Sequence, residues 1–246
     1  LRKRTGAPPL ATNFDDRSIL RPGAFLNPPH DPEREAIGRS IAALLMAKQI
    51  RNSGQIHPQT LLTEIGALAG FAAQMSIRKS VIEPRKLNPD TILVEVVTKK
   101  GQKYYFSDLL NWILFENLTQ PPYSVWAYLA AVVTDDSRRL LPDVTEIVSN
   151  AARMIGTPKF GVPRLPREHA PQKLPRAALD EHWRLVRDEF VASGRAPSEW
   201  PYDLAVAAQW QMVTGRDMLA LPLAVTIVME AAIPMSKVDP MTVPGA

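Results

Sequence analysis

At 246 residues with no cysteine, the chain is long enough to build one hydrophobic core without staples, and disulfides, thiolate metal sites and cysteine nucleophiles are excluded. The formal charge of +4 is divided unevenly: residues 1–176 hold 24 Lys and Arg against 16 Asp and Glu, whereas residues 177–246 hold 5 against 9. That polarity suits steering of an acidic partner, or pairing of the two parts of the chain or of two subunits. The uncharged stretch 218–229 contains Pro222 and falls short of the roughly 20 residues a spanning helix requires, so no integral membrane segment is expected.

Residues 1–31, "LRKRTGAPPLATNFDDRSILRPGAFLNPPHD", carry neither helical nor strand periodicity and are expected to form an extended arm. Its Phe14, Ile19, Leu20, Phe25 and Leu26 are too apolar for a free tail and should lie against the body or a neighbouring subunit. Asp31 caps a first helix, with Pro32 in its opening turn. Pro58 opens a second, "QTLLTEIGALAGFAAQMSI", in which Gly66, Ala69, Gly70 and Ala73 form a face of almost no side-chain volume. A glycine inside a helix costs about 1 kcal/mol relative to alanine, so two of them imply close approach by another element. Alanine at either is expected to be tolerated far better than leucine.

The β-branched run "TILVEVV", the turn "TKKGQ" and "KYYF" predict a hairpin near residues 91–106, with Gly101 supplying a positive φ. Ser107 and Asp108 cap "LLNWILFENL", "YSVWAYLAAVV" follows Pro121 and Pro122, and Pro142 precedes "DVTEIVSNAARMIG". Residues 156–174, "GTPKFGVPRLPREHAPQKL", form a proline-rich loop. Helices then begin at Pro175, at "PYDLAVAAQWQMVTG" and at "DMLALPLAVTIVMEAAI". The sum is a single, mainly α-helical domain over residues 32–240, of about eight helices, with one short antiparallel β-hairpin and an extended N-terminal arm.

Three groups of residues are candidates for function. His57 and Glu64 sit seven residues apart at the start of the second helix, as an acid–base pair or as a buried polar contact. No third ligand accompanies them, so neither a metal nor a cofactor is implied. In and just after the proline-rich loop, Phe160 and Leu165 offer apolar anchors, while Arg164, Arg167, His169, Lys173 and Arg176 offer contacts for an anionic ligand or partner; the competing role is to wrap the core. Lys99, Lys100 and Lys103 at the hairpin tip are possible nucleic-acid contacts, with Tyr104 and Tyr105 as stacking partners if exposed, though one tyrosine should point inward. The five tryptophans read as core or interface anchors.

With neither a GxSxG elbow nor an HExxH pair, the expectation is a non-catalytic interaction or scaffold protein that self-associates as a homo-oligomer or binds a protein partner. The lack of cysteine fits a reducing cytoplasm, where the chain is expected to reside. The alternatives are a small-molecule enzyme or sensor with a pocket near His57 and Glu64, and a weak nucleic-acid-binding protein.

Overall fold

Capping residues start several of the helices where the sequence implies. In the computed structural model, which describes residues 31–116 and 124–246, helix α1 (Pro32–Ser53) starts where the Asp31 carboxylate accepts the Arg34 N–H at 3.0 Å. Apart from Asp31, the arm expected over residues 1–31 lies outside the described residues. Gly54, at φ 77°, ends α1 by returning its N–H to the Ile50 carbonyl. Helix α2 (Pro58–Ile77) starts at His57, whose imidazole accepts the Thr60 N–H. It continues through a π-helical turn, Arg78–Ile82, into the short α3 (Glu83–Arg85). Pro84 has no N–H to return to the preceding turn, and the wider turn stands just before it.

Every residue of α2 from Thr60 to Ile77 is buried. Around it pack α7 (Pro175–Ala192), α8 (Trp200–Thr214), α9 (Leu221–Met235) and the shorter α4 (Asp108–Leu114). With its continuation to Arg85, α2 is long and apolar enough to cross a membrane, but that apolar window is entirely enclosed by protein, the character of a core helix. A single hydrophobic core joins these elements, and Trp183 sits within it with its ring edge-on to Phe71 at 4.7 Å.

The small-residue face of α2 lies against α9, and more tightly than the sequence implies. A Cβ on Gly66 would stand 2.5 Å from the Val228 carbonyl oxygen; one on Gly70 would stand 1.9 Å from that of Ala232. Even the single methyl of alanine therefore meets backbone at both positions, at Gly70 above all, and the small clash expected there is a large one. The obstacle is backbone that cannot rotate away, whereas a flexible side chain could.

Strands β1 (Val94–Val97) and β2 (Lys103–Phe106) pair antiparallel, with Val96 opposite Tyr104 and Glu95 opposite Tyr105. The Thr98 carbonyl accepts the Gly101 N–H at 3.0 Å, and Gly101 takes φ 79° as the turn demands. On its other side β2 meets the segment after α9: the Tyr105 N–H donates to the Lys237 carbonyl at 2.9 Å, and Tyr104 bridges Val238. Helices α5 (Val125–Ala131) and α6 (Val144–Met154), capped by Ser124 and Asp143, complete the body.

Candidate functional site

Two arrangements of charged side chains stand out: those locked into buried networks and those gathered around an open cleft. Glu64, on the second turn of α2, is fully buried, and both its oxygens have partners. Oε2 accepts from Gln49 Nε2 at 3.1 Å; Oε1 accepts from Lys173 Nζ at 3.2 Å and lies 3.4 Å from His182 Nε2. Lys173 also reaches Glu181 at 2.6 Å, so its ammonium stands among two carboxylates and an imidazole. These carboxylates hold the Lys173 ammonium above its ordinary pKa against the opposing effect of burial. A lysine here fills the place in which a bound cation would otherwise balance the acids.

His57 does not meet Glu64 directly. Gln49 joins them, accepting the His57 N–H at 3.1 Å through Oε1 while donating to Glu64. Burial lowers the His57 pKa below its usual value, which suits a neutral ring whose Nδ1 accepts from the Thr60 backbone and lies 2.8 Å from the Thr60 hydroxyl. That hydroxyl in turn accepts the Gln172 N–H at 2.8 Å, tying the end of the proline-rich loop to the start of α2. The arrangement caps a helix and anchors a loop.

Two further networks behave alike. Asp203 in the first turn of α8 is buried beneath a two-pronged Arg195, with contacts at 2.9 and 2.7 Å, and Arg34 approaches at 3.3 Å. Arg34 also bonds Glu199 and the Tyr128 hydroxyl. Glu230 on α9 is held by Arg164, which donates through Nε at 2.9 Å and reaches Glu146 of α6 at 2.8 Å. Burial raises the carboxyl pKa of both Asp203 and Glu230, with their arginines opposing it. Among the described residues, no group of three or more His, Asp or Glu is placed to hold a metal ion.

The loop candidates thus divide. Arg164, itself still exposed, and the half-buried Lys173 are engaged as clamps on Glu230 and Glu64, Arg167 stays exposed, and His169 is partly covered with Nδ1 buried and unpartnered. Phe160 packs edge-on to Tyr104 with ring centres 4.8 Å apart. Both tyrosines are buried, on opposite faces of the strand, and Tyr105 lies under the Arg78 guanidinium at 4.5 Å.

Phe160 and the hairpin tip meet in a cleft of about 530 Å³. Lys100, Gly101, Lys103 and Tyr104 line it from the hairpin, Thr157 and Phe160 from the loop, Met235 from the end of α9, and Val238, Asp239 and Thr242 from the segment after it. Arg176 closes one side, fixed by Asp180 at 2.9 Å and by the Thr242 carbonyl at 2.6 Å. Its wall therefore carries three cations and one acid around an aromatic and thioether floor. Lys103 is steadied by Glu95 at 3.1 Å, and that carboxylate raises the lysine's pKa. Lys99 and Lys100 stand exposed at the tip.

No protein-family model, curated protein or solved structure matches the chain. The site rests on its own geometry. Sequence reasoning singled out Lys100, Lys103 and Phe160 in two separate groups, without a signal that they meet. Arg176 stood out among the basic residues of the loop and its end, without a signal that it faces the hairpin, and Asp239 and Thr242 were missed because their only mark is proximity in the fold. Gln49, Glu181 and His182 escaped for the same reason, since they come from other helices than Glu64.

Proposed function

We propose that the protein is a non-catalytic interaction protein whose hairpin cleft holds an acidic, aromatic-bearing segment of a partner. The observation that carries this reading is the convergence of Lys100, Lys103 and Arg176 around the Phe160–Tyr104 pair in one open cleft. Cations at the rim steer and select an anionic chain, while an apolar floor with an aromatic ring supplies the contact area that gives a complex its lifetime. The candidate acid–base residues support it from the other side: both Glu64 oxygens and His57 Nδ1 are committed to the protein itself. A polar group so engaged must break its own contacts before it can serve a substrate.

Fluorescence anisotropy with a labelled peptide of alternating Glu and Phe tests the reading. Binding should weaken as salt rises, and Phe160→Ala and Lys100→Glu should each reduce it at least about tenfold. A peptide of alternating Lys and Phe should not bind. A single-stranded DNA probe that binds more tightly than the acidic peptide, and loses affinity in Lys100→Glu, would turn the assignment to nucleic acid. Binding of the acidic peptide that neither substitution alters would remove the cleft from the function.

A further inference from the structure

We infer that β1 is a self-association edge, through which two copies of the chain join their hairpins into one antiparallel sheet. The cleft takes no part in this contact, which uses backbone groups that β1 leaves free on its outer side. Tyr105 points its N–H away from β1, toward the Lys237 carbonyl, so the Glu95–Tyr105 pair is one that exchanges no hydrogen bonds across the hairpin. By the alternation of an antiparallel ladder, Glu95 and Val97 turn their N–H and C=O groups outward, whereas Val94, Val96 and Thr98 turn theirs toward β2. The Thr98 N–H donation to Gln102 at 2.9 Å agrees with that phase.

This outward edge is in solvent, and its side chains are apolar. Val94 is 59 % exposed, Val96 38 % and Val97 54 %, on a strand that otherwise has only Glu95. Exposed, β-branched edges with free backbone groups are what other strands pair with, and proteins usually shorten, bulge or charge them. Here the edge has one acid, and Lys103 already neutralises it.

A second copy fits this edge in one register better than in its neighbours. A two-fold axis through Val96 sets Glu95 of each copy opposite Val97 of the other and uses all the outward groups, giving four inter-strand hydrogen bonds. Shifting the axis to Glu95 would place the two glutamates face to face, and shifting it to Val97 would halve the bonds. In the favoured register the basic Lys99–Lys100 turn of each copy runs toward the exposed Asp90 of the other, opposite charges approaching at both ends. The two Val96 residues face each other as the closely spaced pair, with Cα atoms about 4.5 Å apart. So small a contact is at the weak end of specific interfaces, so the dimer should form at high micromolar concentrations.

The natural lack of cysteine makes the test sharp. Val96→Cys, oxidised at about 200 µM, should give a disulfide-linked dimer at least about fivefold faster than Val94→Cys, because only position 96 faces itself across the axis at disulfide distance. In sedimentation runs the parent should move from monomer to dimer as concentration rises, and Val97→Pro should stay monomeric. Proline at 97 removes only an outward N–H, so the melting curve and the hairpin should persist; Val96→Pro removes an inward one and should loosen the hairpin. Phe160→Ala should dimerise as the parent does, which separates this edge from the cleft. A parent that stays monomeric to about 1 mM, equal cross-linking at 94 and 96, or a dimer unchanged by Val97→Pro would each overturn the inference.

Discussion

Helix α2 and the β-hairpin are opposite ways of handling polar and apolar surface. On α2 every side chain from Thr60 to Ile77 is inside, and most of the polar atoms named here have partners within the protein: Glu64 with Gln49 and Lys173, Gln74 Nε2 with the Ser236 carbonyl at 3.0 Å, Thr63 with the Gln59 carbonyl, while Gln74 Oε1 is buried without one. On the hairpin three valines face solvent, three lysines crowd one end, and the Glu95 and Val97 backbone groups point away from β2. The contrast teaches where function resides. A matched buried polar group maintains a fold, because separating it from its partner costs desolvation with nothing returned. Surface that the fold leaves uncompensated is available to something else. Substitutions on the two elements should therefore separate cleanly into changes of stability and changes of association.

The largest effect belongs to Gly70. Leucine there has to displace the α9 backbone at Ala232, so Gly70→Leu should lose more than about 4 kcal/mol, the range in which single substitutions are exceptional, or fail to fold. Gly70→Ala should itself cost about 2 to 3 kcal/mol, at the upper end of overpacking, despite alanine's better helix propensity. Gly66→Ala, with 2.5 Å to the nearest carbonyl oxygen instead of 1.9 Å, should cost less. Denaturant melts of the three variants give the order directly. A Gly70→Ala protein as stable as the parent would mean that α2 and α9 do not touch backbone to backbone, and the picture of α2 as a sealed core helix would go with it.

That same position marks the limit of what the sequence discloses. Local signals were legible: the capping residues Asp31 and Ser107, prolines at the start of α1, α2 and α7, the hairpin with its Gly101, and the wish of Gly66 and Gly70 for a close neighbour. They depend on a few adjacent residues and on φ, ψ preferences that tertiary packing seldom overturns. How close the neighbour comes is a property of two helices far apart in sequence, and so is the identity of Glu64's partners, drawn from α1, the proline-rich loop and α7. The cleft was half legible. Its cations and its Phe160 stood out as residue types, but the chain passes from Lys100 through Phe160 to Asp239 before the wall is complete. Only packing of the hairpin against the segment after α9 brings them together.

An intermediate effect sharpens the boundary between the two regions, at Lys237. Its backbone belongs to the hairpin's docking strand, yet its side chain is buried, with the ammonium 4.6 Å from the Phe106 ring centre and no carboxylate beside it among the described residues. Burial lowers its pKa from 10.5 to about 8. The folded state thus holds this proton less tightly than the unfolded state does. Above pH 10.5 the amine is neutral in both; as pH falls toward 8 the parent loses stability, and below 8 the loss is complete. That displacement corresponds to about 3 kcal/mol, and the ring returns about 1 kcal/mol of it through its attraction for the cation. Lys237→Met should accordingly be more stable than the parent at pH 7, by about 1 to 3 kcal/mol, with the gap closing between pH 8 and 10.5. A gap that is constant across this range would mean the amine is solvated or paired, and the hairpin would then dock on a wetter surface than the structure has.

The smallest effect on stability is expected at the hairpin tip, and there the comparison is most exposed to failure. Lys99 and Lys100 occupy the exposed turn without a carboxylate partner among the described residues, and Lys103 meets Glu95 only at the surface, where salt and side-chain entropy leave an ion pair little weight. Replacing all three by glutamine keeps the strand backbone, the Thr98–Gly101 turn and the Tyr105 contact to Lys237, each of which is made by main-chain atoms. The triple variant should therefore unfold at the parent's denaturant midpoint with the parent's slope, while the acidic peptide dissociates from it at least about tenfold more readily. If the midpoint falls markedly, the lysines are part of what holds the hairpin to the body, and the division between a matched interior and a spare exterior is drawn in the wrong place. If midpoint and affinity are both unchanged, the division stands but the cleft's cations do not select its partner, leaving the apolar floor around Phe160 to account for any binding.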